Sequence, residues 1–235
     1  MTEPRLSLFF DQWVSARFAP DIRRYSEILL ERVAPIFDEV EAEQERHAQT
    51  VMKSSRWGSD DYDMALEAAY EHGINQAIGF MQMRSVFLTT GVSGLFHMFE
   101  KQLYSHLNQE LSDWLLKPIA DWKDARSLVE AMANREDDGD PAELRQNFNH
   151  PDLRELQLVA NAIKHGLGPS YDALLAMKAA VVTSERLADD WTTGPYSALA
   201  VPISVDVKDV ERYRDAVLRF WDTKGTYWAA RSKFK

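Results

Sequence analysis

The N-terminal part of the chain carries apolar residues at helical spacing, and this pattern predicts successive helices. The first run covers residues 4–19, and a second begins at Pro20 and continues through residues 22–37. Pro35 is a predicted kink, because proline removes an amide donor and crowds the preceding helical turn. The polar run 39–49 extends the pattern as an exposed helix.

A longer helical pattern spans residues 62–116, after a predicted loop in which Ser59 or Asp60 serves as the N-cap. An interruption is predicted near His72-Gly73. The second half of this helix is apolar around most of its circumference as far as Phe99. A helix of that kind usually lies at the centre of a fold.

A patch of small residues lies inside this central helix, at Thr89, Thr90, Gly91, Ser93 and Gly94. Each interior glycine costs about 0.5 to 1 kcal/mol relative to alanine, so the patch indicates that another group approaches closely. Two interpretations remain open, a tight helix crossing and a ligand slot.

The pattern continues with a short predicted helix over residues 122–132, followed by an acidic run over residues 134–141. That run is the best internal boundary, but each half alone would lack partners for its apolar helix faces. We therefore predict a single helical domain over residues 1–235, with N-terminal helices in 1–60 and the core in 61–235.

The remaining pattern predicts helices over residues 151–165, 170–190 and 207–224. An irregular segment precedes the last of them, where Ser204 and Asp206 are alternative N-caps. The resulting fold class is all-α, a helical bundle with a long central helix and one irregular segment before the C-terminal helix.

The composition of the chain excludes several classes of function. The net charge of −10 repels nucleic acid and anionic membranes on average, so any RNA contact needs a local basic patch. The absence of cysteine excludes disulfides, thiolate zinc sites and cysteine nucleophiles. The N-terminus lacks the apolar region of a secretory signal, and no stretch approaches the roughly 20 apolar residues of a membrane span. We expect a soluble, cytoplasmic protein that makes no membrane contact.

The helix over residues 151–165 carries the best candidate chemistry. Arg154, Asn161 and His165 fall within about 40° of one another on it, opposite the apolar face. Gly166 favours a helix end there, so His165 and its neighbour Lys164 lie at the negative end of the helix dipole. Ordinary helix-ending residues would give the same short pattern.

The segment LVANAIKHGLGPS resembles the helix-end signature of the HEPN superfamily, an Arg-x4-6-His element that commonly reads Arg-Asn-x-x-x-His. The long preceding helix and the closing helix DVERYRDAVLRFWD resemble the family's layout. The resemblance implies a homodimer whose Arg and His from two subunits cleave RNA without a metal, the ribose 2′-hydroxyl attacking the adjacent phosphate. It implies that Asn161 positions the site and that His165 does acid/base or phosphate work. It also implies RNA and an antitoxin or other protein as partners, in a toxin or phage-defence setting.

The departure from the family pattern is Ala160, which stands where arginine is usual. Alanine neutralises no phosphate, and Arg154 lies about 16 Å away from His165 along the helix. Lys164 is the adjacent cation, although it lacks arginine's planar fork. The leading hypothesis is therefore a metal-independent endoribonuclease, and the alternative is a non-catalytic HEPN-like binding or dimerisation module.

Further candidates lie on the central helix. His97 and Glu100 could line a pocket against the Asn161 helix, and Arg84 could supply the missing cation. His97 with Glu100, and His106 with Glu110, have spacings that could bind a metal, but each pair supplies only two ligands. A metal-dependent helical-bundle enzyme is the third hypothesis, and our prediction is no metal and no cofactor.

The C-terminal segment interleaves basic with aromatic residues, among them Arg212, Tyr213, Phe220 and Trp221. Such a pattern suits single-stranded nucleic acid, through phosphate contacts and base stacking. It equally suits a helix with core-facing aromatics and a solvated cationic edge, followed by a frayed tail. No phosphate-binding glycine loop, serine-esterase elbow or dinucleotide fingerprint occurs, so those activities have no support.

Overall fold

The computed structural model describes residues 5–54, 62–113, 115, 117–133, 141–182 and 202–230. The elements within these ranges are β1 (Arg5–Phe10), α1 (Gln12–Glu27), a π-helix (Ile28–Val33), a 3-10 turn (Ala34–Phe37), α2 (Val40–Ser54), α3 (Tyr62–Glu110), α4 (Trp122–Ala133), α5 (Pro141–Phe148), α6 (Pro151–His165), α7 (Pro169–Ala176), α8 (Val207–Trp221) and β2 (Gly225–Ala230). The predicted all-α bundle is confirmed in class, with a small two-stranded sheet in addition.

The long central helix is also confirmed: α3 runs for 49 residues. Its C-terminal half supplies fully buried side chains to the core, including Val92, Leu95, Phe99 and Leu103. Helices α1, α4, α6 and α8 and strand β1 pack around it. Because its apolar residues nearly encircle it, α3 can be covered on several sides at once.

The predicted helix over residues 4–19 is wrong in its first part. Residues 5–10 form β1, which pairs antiparallel with β2, so that Leu8 lies opposite Tyr227. Leu8 and Phe10 are buried and Phe9 between them is 47% exposed, which is the alternation of a strand. The tail that the sequence suggested would fray is therefore the partner strand as far as residue 230.

Helix α1 passes through Pro20 without a break, so the predicted start of a new helix there is wrong. The helical geometry changes later, into the π-helix and then into the 3-10 turn that contains Pro35. The kink predicted at Pro35 thus falls where the helical run ends. Asp11 caps α1, because its carboxylate accepts from the backbone N–H of Trp13 at 2.8 Å.

The predicted interruption at His72-Gly73 is wrong, since α3 is continuous there. Gly73 instead allows α2 to pack closely on α3, because a Cβ at this position would lie 2.9 Å from the carbonyl oxygen of Gln44. Helices α2 and α3 therefore form a hairpin. The predicted end of the long helix at residue 116 is also too late, since α3 ends at Glu110.

The small-residue patch on α3 is a helix crossing. A Cβ at Gly91 would lie 2.6 Å from Leu29 Cδ2, and a Cβ at Gly94 would overlap the Tyr25 hydroxyl. That hydroxyl donates a hydrogen bond to the Gly91 carbonyl oxygen at 2.9 Å. Thr89 accepts from the backbone N–H of Val205. The end of α1 and the π-helix fill the space that the ligand-slot interpretation required.

The C-terminal half departs from its predicted bounds in several places. Helix α5 was not predicted, and α7 ends at Ala176 instead of residue 190. Asp206 is the N-cap of α8, in a capping box with Asp209, whereas the Ser204 hydroxyl contacts Ser85 at 2.9 Å. The calls on Ser59 and Asp60, on residues 134–140 and on most of the irregular segment 192–207 lie outside the described residues.

The last helix ends at Trp221 instead of residue 224. Tyr213, Val217, Phe220 and Trp221 are buried on its inner face, so the core-facing interpretation of these aromatics is confirmed. No helix in the described ranges combines the length and apolar character needed to cross a membrane.

Candidate functional site

The residues at each end of helix α6 determine where it begins and ends. Pro151 occupies its first turn, and the preceding His150 accepts a hydrogen bond from the backbone N–H of Asp152 through Nδ1 at 3.3 Å. At the other end Gly166 has a φ of 77°, and its N–H donates to the Ala162 carbonyl oxygen at 2.8 Å. Glycine suits this left-handed conformation, so the helix stops directly after His165.

The three residues predicted to form the catalytic group lie at the C-terminal end of α6. Lys164 and His165 are exposed and Asn161 is half-buried. Among the described residues, none of the three side chains has a hydrogen-bond or ion-pair partner. The imidazole is therefore accessible, and within the described ranges no side chain orients it through a hydrogen bond or an ion pair.

Ala160 lies on the buried face of the same helix, about 140° around the axis from His165. Its side chain is fully buried in the core, as are those of Leu156, Val159 and Ala162. A cation at position 160 would point among these apolar groups, where burying a charge is costly. The apolar surroundings of position 160 would therefore not accommodate the arginine that the family pattern has there.

The pocket candidates on α3 make contacts of their own. His97 Nδ1 lies 3.1 Å from Glu100 Oε2, and the Tyr104 hydroxyl donates to Glu100 Oε1 at 2.6 Å. Burial, followed by the hydrogen bond to Glu100, raises the pKa of the Tyr104 phenol. Arg84 lies 3.7 Å from Asp38, which follows the 3-10 turn. None of these contacts joins the α3 residues to Asn161 or His165.

Arg154 is exposed near the N-terminal end of α6, and it does not reach His165. It lines a shallow cleft between α4 and α6, together with Trp122, Arg126, Phe148 and Gln157. Arg126 in this cleft is already bonded to Glu130 at 2.6 Å. Arg154, Asn161 and His165 therefore lie along one face of α6, but they do not form a single site.

Sequence reasoning missed an ion cluster that joins α6 to α8. The Arg212 guanidinium donates to Asp152 at 2.8 Å, to Glu155 at 2.5 Å and to Asp209 at 2.9 Å. The Tyr213 hydroxyl also donates to Glu155, at 2.8 Å. Burial alone would lower the pKa of Arg212, but its hydrogen bonds to Glu155 and to the other carboxylates outweigh burial and raise it. The i, i+3 spacing of Asp152 with Glu155 and of Asp209 with Arg212 is the signal in the sequence.

This cluster is structural in character. The Arg212 side chain is 28% exposed and those of Glu155 and Asp209 are 12% and 15% exposed. The one guanidinium pairs with all three carboxylates, so the cluster has a net negative charge and leaves no free cation for a phosphate. Arg212 therefore joins α8 to α6, and its guanidinium is already engaged by carboxylates.

Within the described ranges, the metal hypothesis has no third ligand. In the part of the chain that the structure describes, no group of three His, Asp or Glu side chains could hold an ion. His106 does not pair with Glu110; its Nε2 donates to the Phe9 carbonyl oxygen at 3.0 Å. Burial lowers the pKa of His106 to about 4, so this imidazole is neutral and joins β1 to α3.

Comparison of the chain with protein-family models, curated proteins and solved structures yields no match.

Proposed function

We propose that this protein is a non-catalytic helical interaction module of HEPN-like layout. The observation that carries the proposal is the orientation of α6, with Ala160 fully buried while His165 is exposed about 140° away around the helix. RNA cleavage through the ribose 2′-hydroxyl builds negative charge on the phosphate, which a fixed cation must stabilise. Position 160 supplies none.

Four other cations that the structure describes do not replace it. Lys164 is one residue from His165, so their side chains diverge by about 100° around the helix. Arg154 lies about 16 Å from His165 along the axis. Arg84 is turned toward Asp38, and Arg212 is surrounded by carboxylates. With a net charge of −10, the average field also disfavours RNA.

An interaction role is supported by the apolar surface. The N-terminal half of α3 exposes large apolar side chains, with Tyr70 at 61%, Met81 at 50% and Ile78 at 43%. Contiguous exposed apolar residues on a soluble domain commonly mark a surface that another protein covers.

A second candidate is the metal-independent endoribonuclease. It is favoured by the free, exposed His165 at a helix end, beside Lys164, which a second subunit or an RNA backbone could reach. In that case the arginine comes from a partner subunit, and an antitoxin would act by covering the end of α6.

The two candidates differ in one assay. Labelled RNA is incubated with the full chain in chelator, in parallel with His165→Ala and Lys164→Ala. Leu167→Ala is the matched control, because Leu167 is 65% exposed just beyond the same helix end. We expect no cleavage above buffer with any of the four proteins. Cleavage by the wild-type chain and by Leu167→Ala that is lost in His165→Ala would establish the ribonuclease instead.

A further inference from the structure

The cleft between α4 and α6 combines aromatic with cationic side chains. It is an open cleft of about 280 Å³, and its lining includes Trp122, Arg126, Phe148, Leu153, Arg154 and Gln157. Trp122 and Arg126 lie one turn apart on α4, and Leu153 and Gln157 lie one turn apart on α6. Each helix therefore presents one continuous face to the cleft.

The apolar part of the cleft is fixed by the core. The Trp122 ring stacks on Phe148 at a centroid distance of 5.9 Å and an interplanar angle of 28°. The opposite contact of Trp122 is with the buried ring of Phe96, at 5.1 Å. Phe148 and Leu153 are buried, whereas Trp122 is half-buried. The indole thus supplies a rigid, partly exposed apolar surface.

The cationic part of the cleft consists of two arginines. Arg154 is exposed, and within the described ranges its side chain has no hydrogen-bond or ion-pair partner. Arg126 donates to Glu130 through Nε alone, at 2.6 Å. In the same ranges its two terminal nitrogens make no such contact. With Glu130 counted against the two guanidinium groups, the cleft retains one uncompensated positive charge.

The acidic neighbours of Arg154 on α6 do not supply the missing charge. Asp152 and Glu155 both accept hydrogen bonds from Arg212 of α8. Two guanidinium groups that line one cleft repel each other, and a bound anion relieves this repulsion. The cleft is therefore suited to a ligand with one negative charge.

We propose that this cleft binds a monocarboxylate with a flat apolar body. The carboxylate lies at Arg126 and Arg154, and the apolar body lies on Trp122. A planar guanidinium matches a carboxylate through paired N–H donors, and the apolar body is removed from water on the indole. A phosphate monoester carries a charge of about −1.5 to −2 at neutral pH, which exceeds the charge that the cleft compensates.

This inference goes beyond the proposed function. Arg154 lies about 16 Å from His165 along α6, so the cleft and the end of the helix are separate places. Binding in the cleft requires no RNA and no second chain.

The test is a titration of the full, ¹⁵N-labelled chain with 3-phenylpropanoate, followed by NMR. The reporter is the indole N–H resonance of Trp122, assigned by its loss in Trp122→Phe. We expect this resonance to shift to saturation and to move more than those of the other six tryptophans. The neutral amide 3-phenylpropanamide, acetate without the apolar body, and phenyl phosphate should each bind more weakly. An unchanged Trp122 resonance at millimolar 3-phenylpropanoate, or equal binding of the amide, overturns the proposal.

A substitution tests the role of the unpaired arginine. Arg154→Gln should weaken 3-phenylpropanoate binding by about tenfold or more, because it removes charge-assisted hydrogen bonds. Arg23→Gln is the matched control, since Arg23 is an exposed arginine of α1 outside the cleft and its loss changes the net charge equally. Circular dichroism checks that both variants are folded. Equal affinities of the two variants overturn the proposal.

The carboxylate can belong to a free acid or to the C-terminal residue of a partner protein. The peptide Gly-Gly-Phe with a free C-terminus, compared with its amidated form, distinguishes these sources. Binding of the free peptide and loss of binding on amidation support the proposal and identify a chain end. Binding of 3-phenylpropanoate alone supports it and identifies a small acid, whereas equal binding of both peptides overturns it.

Discussion

His106 makes the stability of the fold depend on pH. The imidazole is 2% exposed, and its ring contacts Phe10 at a centroid distance of 5.1 Å, Trp221 at 6.0 Å and Phe18 at 6.1 Å. Its Nε2–H donates to the Phe9 carbonyl oxygen. Protonation would place a second N–H and a positive charge within this aromatic surrounding, which is why burial lowers its pKa.

The magnitude follows from linkage between protonation and folding. The pKa of His106 is about 4 in the folded protein and 6.5 in the unfolded chain. The unfolded state therefore takes up the proton first, and the free energy of unfolding decreases as pH falls below 6.5. At about 1.4 kcal/mol per pH unit, the loss reaches about 3 kcal/mol near pH 4. The charge of Arg17 acts in the same direction as burial, whereas that of Asp11 opposes it.

The assay is urea unfolding at pH 7, 6, 5 and 4, comparing the wild type with His106→Gln. Glutamine retains an N–H donor for the Phe9 carbonyl but does not titrate in this range. The other five histidines are present in both proteins, so the difference between the two curves isolates His106. We expect the wild type to lose about 3 kcal/mol more than the variant between pH 7 and pH 4. Parallel curves would refute the buried, neutral state assigned to this imidazole.

Two further substitutions, each with a matched control, test the packing by chemical denaturation. Gly94→Ala places a Cβ against the Tyr25 hydroxyl, and we expect a loss of about 1–3 kcal/mol from overpacking. Gly168→Ala has nothing within 4 Å of the added Cβ, and its stability should stay near that of the wild type. Arg212→Ala leaves three carboxylates without their cation, which should cost about 2–3 kcal/mol. Arg214→Ala breaks only an ion pair with a 57% exposed partner and should cost less than about 1 kcal/mol; equal losses for the two arginines would contradict the cluster.

Features set by local chemistry could be predicted from the sequence. The bounds of α6 depend on Pro151 and Gly166, and both ends agree with the prediction. The Asp206 cap of α8 is also local, because the capping box lies within four residues. Such signals need no knowledge of the rest of the chain.

Features set by distant partners could not be predicted in this way. Strand β1 has apolar residues that fit a helical spacing, and it becomes a strand because β2, far along the chain, pairs with it. The Arg212 cluster joins residues about 60 positions apart, so its carboxylates cannot be assigned to Arg212 from the sequence. Without them, the basic and aromatic residues of this segment fitted a nucleic-acid contact. Gly73 gave the signal of a helix break, whereas its role is the close approach of α2.

The position of the candidate site could be predicted from the sequence, but the groups that surround it could not. The exposure of Lys164 and His165 agrees with the polar face expected of α6. Which groups surround His165 depends on the packing of other elements, and His97, Glu100 and Arg84 have partners elsewhere. The sequence already shows alanine at position 160, where the family pattern has a cation. The burial of Ala160 explains why this position is apolar.

RNA cleavage as a function of protein concentration tests the central claim most directly, because a composite site would be completed only when two chains meet. Labelled RNA in chelator is incubated with the wild type and with His165→Ala over a wide range of protein concentrations. A non-catalytic module predicts intact RNA at every concentration with both proteins. Cleavage that increases with wild-type concentration and is absent with His165→Ala would contradict it.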